Sequence, residues 1–165
     1  MKSARMACVV YTGRNMTEVV SLKDKITQVL EEIRVVMPGS QALLGFQLVA
    51  FFSSGFTPLA QSLKELHLLS LGLIAFATVF LMAPSAYHRI AFRGENSPRV
   101  HRFASIMLIV AMFFLIAGLA VDVWLVTYLV LGSSTYACFT SATCFLLASL
   151  LWFVYPALLS HKNQR

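Results

Sequence analysis

The chain has 165 residues, 58% of them hydrophobic and 12% charged, with a formal net charge of +6 and a mean hydropathy of +0.76. That composition excludes a water-soluble globular domain, and the length leaves room for a single membrane domain with no separate soluble one. A basic balance set beside apolar segments suits anionic lipid headgroups as its partner and gives no reason to invoke nucleic acid.

Residues 1–16 read as a tail. Ala7 to Tyr11 is too short for the apolar core of a cleavable signal, no small-residue cleavage site follows it, and Met16 is a second possible start. From Val19 the apolar positions are Val19, Leu22, Ile26, Val29, Ile33 and Val36, with Lys23, Asp24, Lys25, Glu31, Glu32 and Arg34 on the rest of the surface. This three-four alternation predicts an amphipathic helix over 17–37. Two placements compete: in the membrane interface, which short basic amphipathic helices favour, or as a coiled-coil seam between subunits. Pro38-Gly39 is expected to break that helix, because proline cannot continue an established helix.

Four apolar segments follow, at approximately 39–57, 66–88, 104–131 and 134–159. Each approaches or exceeds the roughly 20 residues needed to cross about 30 Å of hydrocarbon. They are long and uniformly apolar, so helices and not barrel strands must satisfy the backbone. The expected fold is all-α: a polytopic membrane protein of four transmembrane helices over 38–159, preceded by the amphipathic cytoplasmic helix and followed by a tail at 160–165. Gly55 is expected to end the first span, with Thr57-Pro58 opening the next helix as N-cap and first helical residue. Gly132-Ser133-Ser134 is too short a turn for anything but antiparallel neighbours. Gly94, Asn96 and Pro98 mark a loop over 89–103.

Twelve of the thirteen basic residues fall on one side of these segments. Lys2, Arg5, Arg14, Lys23, Lys25 and Arg34 precede the first; Arg89, Arg93, Arg99 and Arg102 lie between the second and third; Lys162 and Arg165 follow the fourth; Lys64 alone lies in the first hairpin. Short loops rich in Lys and Arg stay cytoplasmic. The expected location is the bacterial inner membrane, multi-pass, with both termini inside.

Chemistry within the spans rests on few groups. Asp122 is the one ionisable side chain deep in a span, and no Lys or Arg lies in any span to pair with it. An intramembrane carboxylate by default marks a proton relay or an ion ligand. The competing reading takes Trp124 and Tyr128 as the outer headgroup belt, with Asp122 reaching toward water beside them. Gln41 and Gln47 are the other pathway candidates, though their spacing puts them on separate faces of one helix. Gly118, one turn before Asp122, would let another helix come near the carboxylate. Ser134, Ala137, Ser141, Cys144 and Ala148 form a small-residue stripe at three-four spacing, the mark of a close-packing face.

The cytoplasmic rim is denser in polar groups. Glu31, Glu32, Arg34, Tyr87, His88, Arg89, His101 and Arg102 stand at helix ends that a bundle would bring together. There Glu31 or Glu32 would reach Arg34, Arg89 or Arg102, and His88 and His101 would titrate near neutral pH; basic residues that snorkel into headgroups are the simpler account. No nucleophile-base-orienter set can assemble when Asp122 and the two histidines face opposite sides, so no enzyme is expected. Cys8, Cys138 and Cys144 show no paired spacing, Glu65 and His67 are too sparse for a metal, and no cofactor is implied.

The runs Glu32-Ile33-Arg34-Val35-Val36-Met37-Pro38-Gly39-Ser40-Gln41 and Ala83-Pro84-Ser85-Ala86-Tyr87-His88-Arg89 resemble a family of short bacterial four-helix membrane proteins of unknown function. The resemblance covers approximately residues 21–158. Some members of that family carry an automatic label of sodium/proton antiporter, yet the chain has neither the paired intramembrane aspartates nor the broken helices of true antiporters. The resemblance implies that interest lies on the cytoplasmic rim, where both motifs fall, and leaves Asp122 outside them.

Two functions follow as expectations. One is a homo-oligomer forming a small ion channel or ion-coupled carrier for an inorganic cation or a proton, since four helices leave little room for a polar path within one subunit. The other is a non-transporting structural or regulatory protein that binds lipid or a partner through its cytoplasmic face.

Overall fold

The structure, a computed structural model, describes residues 22–91 and 97–163, with side chains up to 159. The tail 1–16, the start of the amphipathic helix at 17–21, Cys8, Arg93 and the side chains of 160–165 lie outside the described residues.

Every regular element among them is helical: α1 (Leu22–Phe51), α2 (Gln61–Ala91), α3 (Pro98–Leu131), α4 (Ser134–Ser149), a wide π turn (Leu150–Val154) and α5 (Tyr155–Asn163). Four stretches are long and apolar enough to cross a membrane, namely Leu22–Phe51, Gln61–Ala91, Pro98–Leu131 and Ser134–Leu159. Their outer surfaces carry large exposed apolar side chains such as Phe46, Phe76, Phe113 and Phe139. The chain is therefore a multi-pass α-helical membrane protein. At 31 and 34 residues, α2 and α3 extend about 46 and 51 Å at 1.5 Å per residue, beyond the roughly 30 Å of hydrocarbon.

Pro38 does not end α1, contrary to the expected break: the helix runs through it. Proline removes one N–H, here the partner of the Arg34 carbonyl, and that turn is exposed. Just beyond, the Ser40 hydroxyl donates to the Met37 carbonyl at 2.8 Å, the kind of side-chain bond that lets membrane helices tolerate proline. The amphipathic stripe thus continues into the span, and Ile26, Val29, Ile33, Ser40 and Gln47 form one buried line at spacings of three, four and seven. Val29 and Ile33 meet Leu81 of α2 and Ala104, Leu108 and Ala111 of α3, so helices of the same chain cover this stripe.

The first hairpin also differs from expectation. Its connection is wound by short-range bonds, Ser53 N–H to Ala50 O at 3.1 Å, Phe56 N–H to Ser53 O at 3.1 Å and Leu59 N–H to Phe56 O at 3.2 Å. Pro58 lies within these turns, and α2 starts three residues later. Lys64 reaches back to donate to the Thr57 carbonyl at 2.9 Å. The second hairpin has the expected form: Gly132 takes φ 66°, a left-handed value that glycine adopts freely, and its N–H closes α3 on Tyr128 O at 2.9 Å. Ser97 caps the other end of α3, accepting from Arg99 N–H, with Pro98 at the first helical position.

The centre of the bundle is α3, which packs on α1, α2 and α4, whereas α4 packs on α3 and on neither α1 nor α2. Ala137 is buried, Ser141 donates to Ala120 O at 2.7 Å, and Thr140 donates to the Thr127 hydroxyl at 3.0 Å. The small-residue stripe of α4 is therefore used within the chain, with Cys144 and Ala148 half-buried and Ser134 exposed. Proline 156 lacks the N–H that would bond Trp152, and the helix widens into the π turn just before it. Between α2 and α3 the approach is tightest at Gly118, where a Cβ would stand 2.7 Å from Ile74 Cγ1. Midway along the bundle Ile74, Ala77 and Leu115 form a dry core with Val36, Leu43 and Leu44 around it.

Candidate functional site

Below, the hairpin end is the end carrying connections 52–60 and 132–133, and the basic end is the opposite one. Near the hairpin end, the packing that buries the apolar core also turns polar groups inward. On α2 the buried line is His67, Ser70, Ile74, Ala77, Leu81 and Pro84, alternating three and four, so His67 and Ser70 share the face of the core residues. On α1 Gln47 lies seven residues after Ser40 on the same line. On α3 Asp122 follows Gly118 by one turn, and the missing side chain at 118 brings α2 close enough for Ser70 to reach the Gly118 carbonyl at 3.1 Å.

These residues form one hydrogen-bonded cluster across three helices. Gln47 Nε2 donates to Asp122 Oδ2 at 2.6 Å and to Ser70 Oγ at 2.6 Å, using both its N–H groups. Ser70 Oγ lies 2.6 Å from Asp122 Oδ1. Its single proton serves either that carboxylate oxygen or the Gly118 carbonyl, and the shorter, charge-assisted contact is the stronger. His67 Nε2 is 3.1 Å from the Gln47 carbonyl, which can only accept, so this nitrogen carries the proton. The Phe56 ring stands edge-on to His67 at 5.3 Å. Among the described residues Gln47 Oε1 is buried without a hydrogen-bond partner. Among the described residues no Lys or Arg pairs with Asp122, and its neighbours are neutral donors.

Two clefts flank the cluster and share Gln47, Phe56 and His67 as a common wall. One, of about 480 Å³, opens between α1 and α3 among Leu43, Phe46, Leu125, Val126 and Leu129, with Asp122 in its lining. The other, of about 380 Å³, opens between α1 and α2 and carries Gln61, Lys64 and Glu65 at its edge. From the cluster toward the basic end the interior is apolar: Ile74, Ala77, Leu81 and Ala111 are each wholly inaccessible. Among the described residues the side-chain hydrogen bond between helices there is a long one, Thr78 Oγ1 to Ser40 Oγ at 3.4 Å, and each of these hydroxyls also bonds a carbonyl of its own helix.

Of the sequence candidates, Asp122 and Gln47 are thus brought together, while Gln41 faces outward, as the separation of the two glutamines on the helix requires. Asp122 turns toward α1 and α2. Trp124 and Tyr128 do not share its cluster; they stack on each other at 5.2 Å, and Trp124 Nε1 donates to Cys138 Sγ of α4. At the basic end Glu31, Glu32, Arg34, Arg89 and Arg102 are exposed, and no ion pair joins them among the described residues. Tyr87 packs its ring on Phe103 at 4.3 Å. His88 and His101 are half-buried, and His88 Nε2 has no hydrogen-bond partner among the described residues. The hydrogen-bonded cluster of Gln47, Ser70 and Asp122 lies at the other end. Nor do three His, Cys, Asp or Glu side chains gather as a metal site among the described residues.

Ser70 and His67 were not singled out as partners of Asp122 in the sequence. Their signal was present in the three-four line they share with Ile74, Ala77 and Leu81, which marks them as inward-facing polar residues within an apolar span.

In comparisons with known proteins, a model of a family of unknown function, DUF6328, matches residues 16–156. No curated protein and no solved structure matches the chain.

Proposed function

The chain belongs to this family of unknown function, and from that premise we propose an ion-coupled carrier in which Asp122, held by Gln47 and Ser70, binds a proton or an inorganic cation. One observation carries the reading. A carboxylate inside an apolar bundle is bonded by neutral donors, lacks a basic partner among the described residues, and sits beside a buried unpartnered acceptor, Gln47 Oε1. A carboxylate and an orphan carbonyl oxygen together make a site short of positive charge. The apolar plug of Ile74, Ala77, Leu81 and Ala111 favours a carrier over an open pore, since an ion reaching the cluster has no polar way onward without rearrangement. Because the Lys and Arg residues cluster at the other end, the hairpin end with its clefts is taken as external. Pairing of subunits, through surfaces such as the little-covered α4, would let the bundle rearrange against a partner copy.

Reconstituted liposomes test this directly. Protein-dependent flux of protons, Na⁺ or K⁺ is expected, falling to the level of empty vesicles in Asp122→Asn. Wild-type flux indistinguishable from empty vesicles for all three ions and at several pH values would overturn it. A second reading, a non-transporting protein that holds anionic lipid or a partner at its cytoplasmic face, is favoured by the exposure of Arg34, Arg89 and Arg102 at the basic end. Unchanged lipid binding after their joint replacement by Gln would remove it.

A further inference from the structure

We infer that the cleft between α1 and α3 takes a lipophilic cation, an apolar molecule bearing an ammonium or similar onium group, drawn laterally from the membrane. This deepens the carrier reading above and rests on its assignment of Asp122.

Three features specify the ligand. The first is size and lining: at about 480 Å³ the cleft falls within the usual range for small-molecule sites, and its walls are aliphatic and aromatic. Second comes the opening. Phe46, Val126 and Leu129 line the cleft and are 73%, 59% and 47% exposed, so the mouth lies among lipid-facing side chains of the bundle. A ligand arriving by that route must dissolve in hydrocarbon. Third is charge: the polar lining is supplied by Asp122, Gln47, His67 and Ser53, and the carboxylate has no basic partner among the described residues. An acyl chain would fill the apolar walls and leave that carboxylate unmatched; an inorganic ion would match the carboxylate and leave the walls unused. A cation with an apolar body satisfies both, and Phe46 and Phe56 add aromatic rings to the lining, a side-chain class that attracts positive charge. Phe56 also contacts His67, which ties the cleft wall to the hydrogen-bonded cluster.

The probe is radiolabelled tetraphenylphosphonium, measured by equilibrium binding to the purified full chain in nanodiscs, with neutral triphenylphosphine oxide as competitor. Saturable binding is expected that the neutral compound displaces poorly. Loss of one member of a close charge pair weakens binding by more than a factor of ten, so Asp122→Asn should bind at least about tenfold more weakly. Val126→Trp, which fills the mouth without touching the polar cluster, should also bind more weakly while keeping the thermal unfolding profile of the wild type. Val126→Trp keeps the inference testable if Asp122→Asn fails to fold. Binding that is non-saturable, or equally strong in a folded Asp122→Asn and in Val126→Trp, is partition into lipid and overturns the inference. If the probe does not bind but Asp122-dependent flux of inorganic ions persists, the inference falls and the carrier reading stands; if both are absent, both fall.

Discussion

Gly118→Ala places the added carbon where α2 and α3 are closest. Its Cβ would stand 2.7 Å from Ile74 Cγ1 and 3.4 Å from both Ile74 Cδ1 and Leu73 Cβ. Carbons in contact prefer about 3.5–4.0 Å, so the helices must part by about 1 Å. Ile74 cannot swing aside easily, being wholly buried with Ala77 and Leu115. Overpacking of this kind costs about 1–3 kcal/mol. Parting the helices also stretches the 3.1 Å bond from Ser70 to the Gly118 carbonyl, and an interhelical bond of this type averages about 0.6 kcal/mol. The sum, about 2–4 kcal/mol, shifts the unfolding equilibrium by about 30-fold to several hundred-fold at a tenfold change per 1.4 kcal/mol. Steric trapping or unfolding in mixed micelles would measure it, with Gly45→Ala and Gly72→Ala as controls because a Cβ at either meets nothing within 4 Å. If Gly118→Ala proves as stable as these controls, the close approach that builds the cluster is not there.

Further outcomes are expected from the same contacts. Ser70→Ala and Gln47→Leu should each destabilise the bundle by about 0.6–2 kcal/mol, and a double-mutant cycle between Gln47→Leu and Asp122→Leu should give a coupling energy clearly different from zero; additive effects would contradict the 2.6 Å bond between them. Ala137→Leu should push α4 from α3, since Ala137 is fully buried against it. In a Trp152→Phe background this appears as a shift in Trp124 emission, and an unchanged spectrum would argue against that packing. Single cysteines placed at Thr57 and at Arg102, in a chain with Cys8, Cys138 and Cys144 replaced by Ala, should react with a membrane-impermeant maleimide from opposite sides of intact cells: Thr57 from outside, Arg102 after lysis only. Pro38→Ala should be neutral or mildly stabilising, because it restores an N–H to an unbroken helix; marked loss of stability would mean that the proline shapes α1.

Much of the fold was legible because the bilayer imposes it. Segment length and hydropathy give four helices, and Gly132-Ser133 gives a turn that leaves α3 and α4 little choice but to pack together. Pro38 misled for a physical reason. Local preference places proline at helix ends, but Pro38 stands on an exposed turn of a helix whose stripe continues from Ile33 to Gln47, and burial of that stripe outweighs one lost bond. At the site, Asp122 and Gln47 stood out as polar residues in apolar spans, yet what joins them is tertiary. Gly118 sets the distance between helices, and Ser70 becomes a bridging group because α2 approaches there. The basic rim drew attention by its density of charge, but charged helix ends have water and headgroups available and need no partner from the protein, whereas Asp122 at the opposite end must find its partners inside the bundle.

The central claim is that Asp122, in its bonds to Gln47 and Ser70, is a cation-binding group. Infrared difference spectroscopy on the reconstituted protein, with the perfusing cation or the pH exchanged, reports on that carboxyl itself. The account predicts a carboxyl band that changes on exchange, disappears in Asp122→Asn and shifts in Gln47→Leu. A difference spectrum identical in wild type and Asp122→Asn would contradict it.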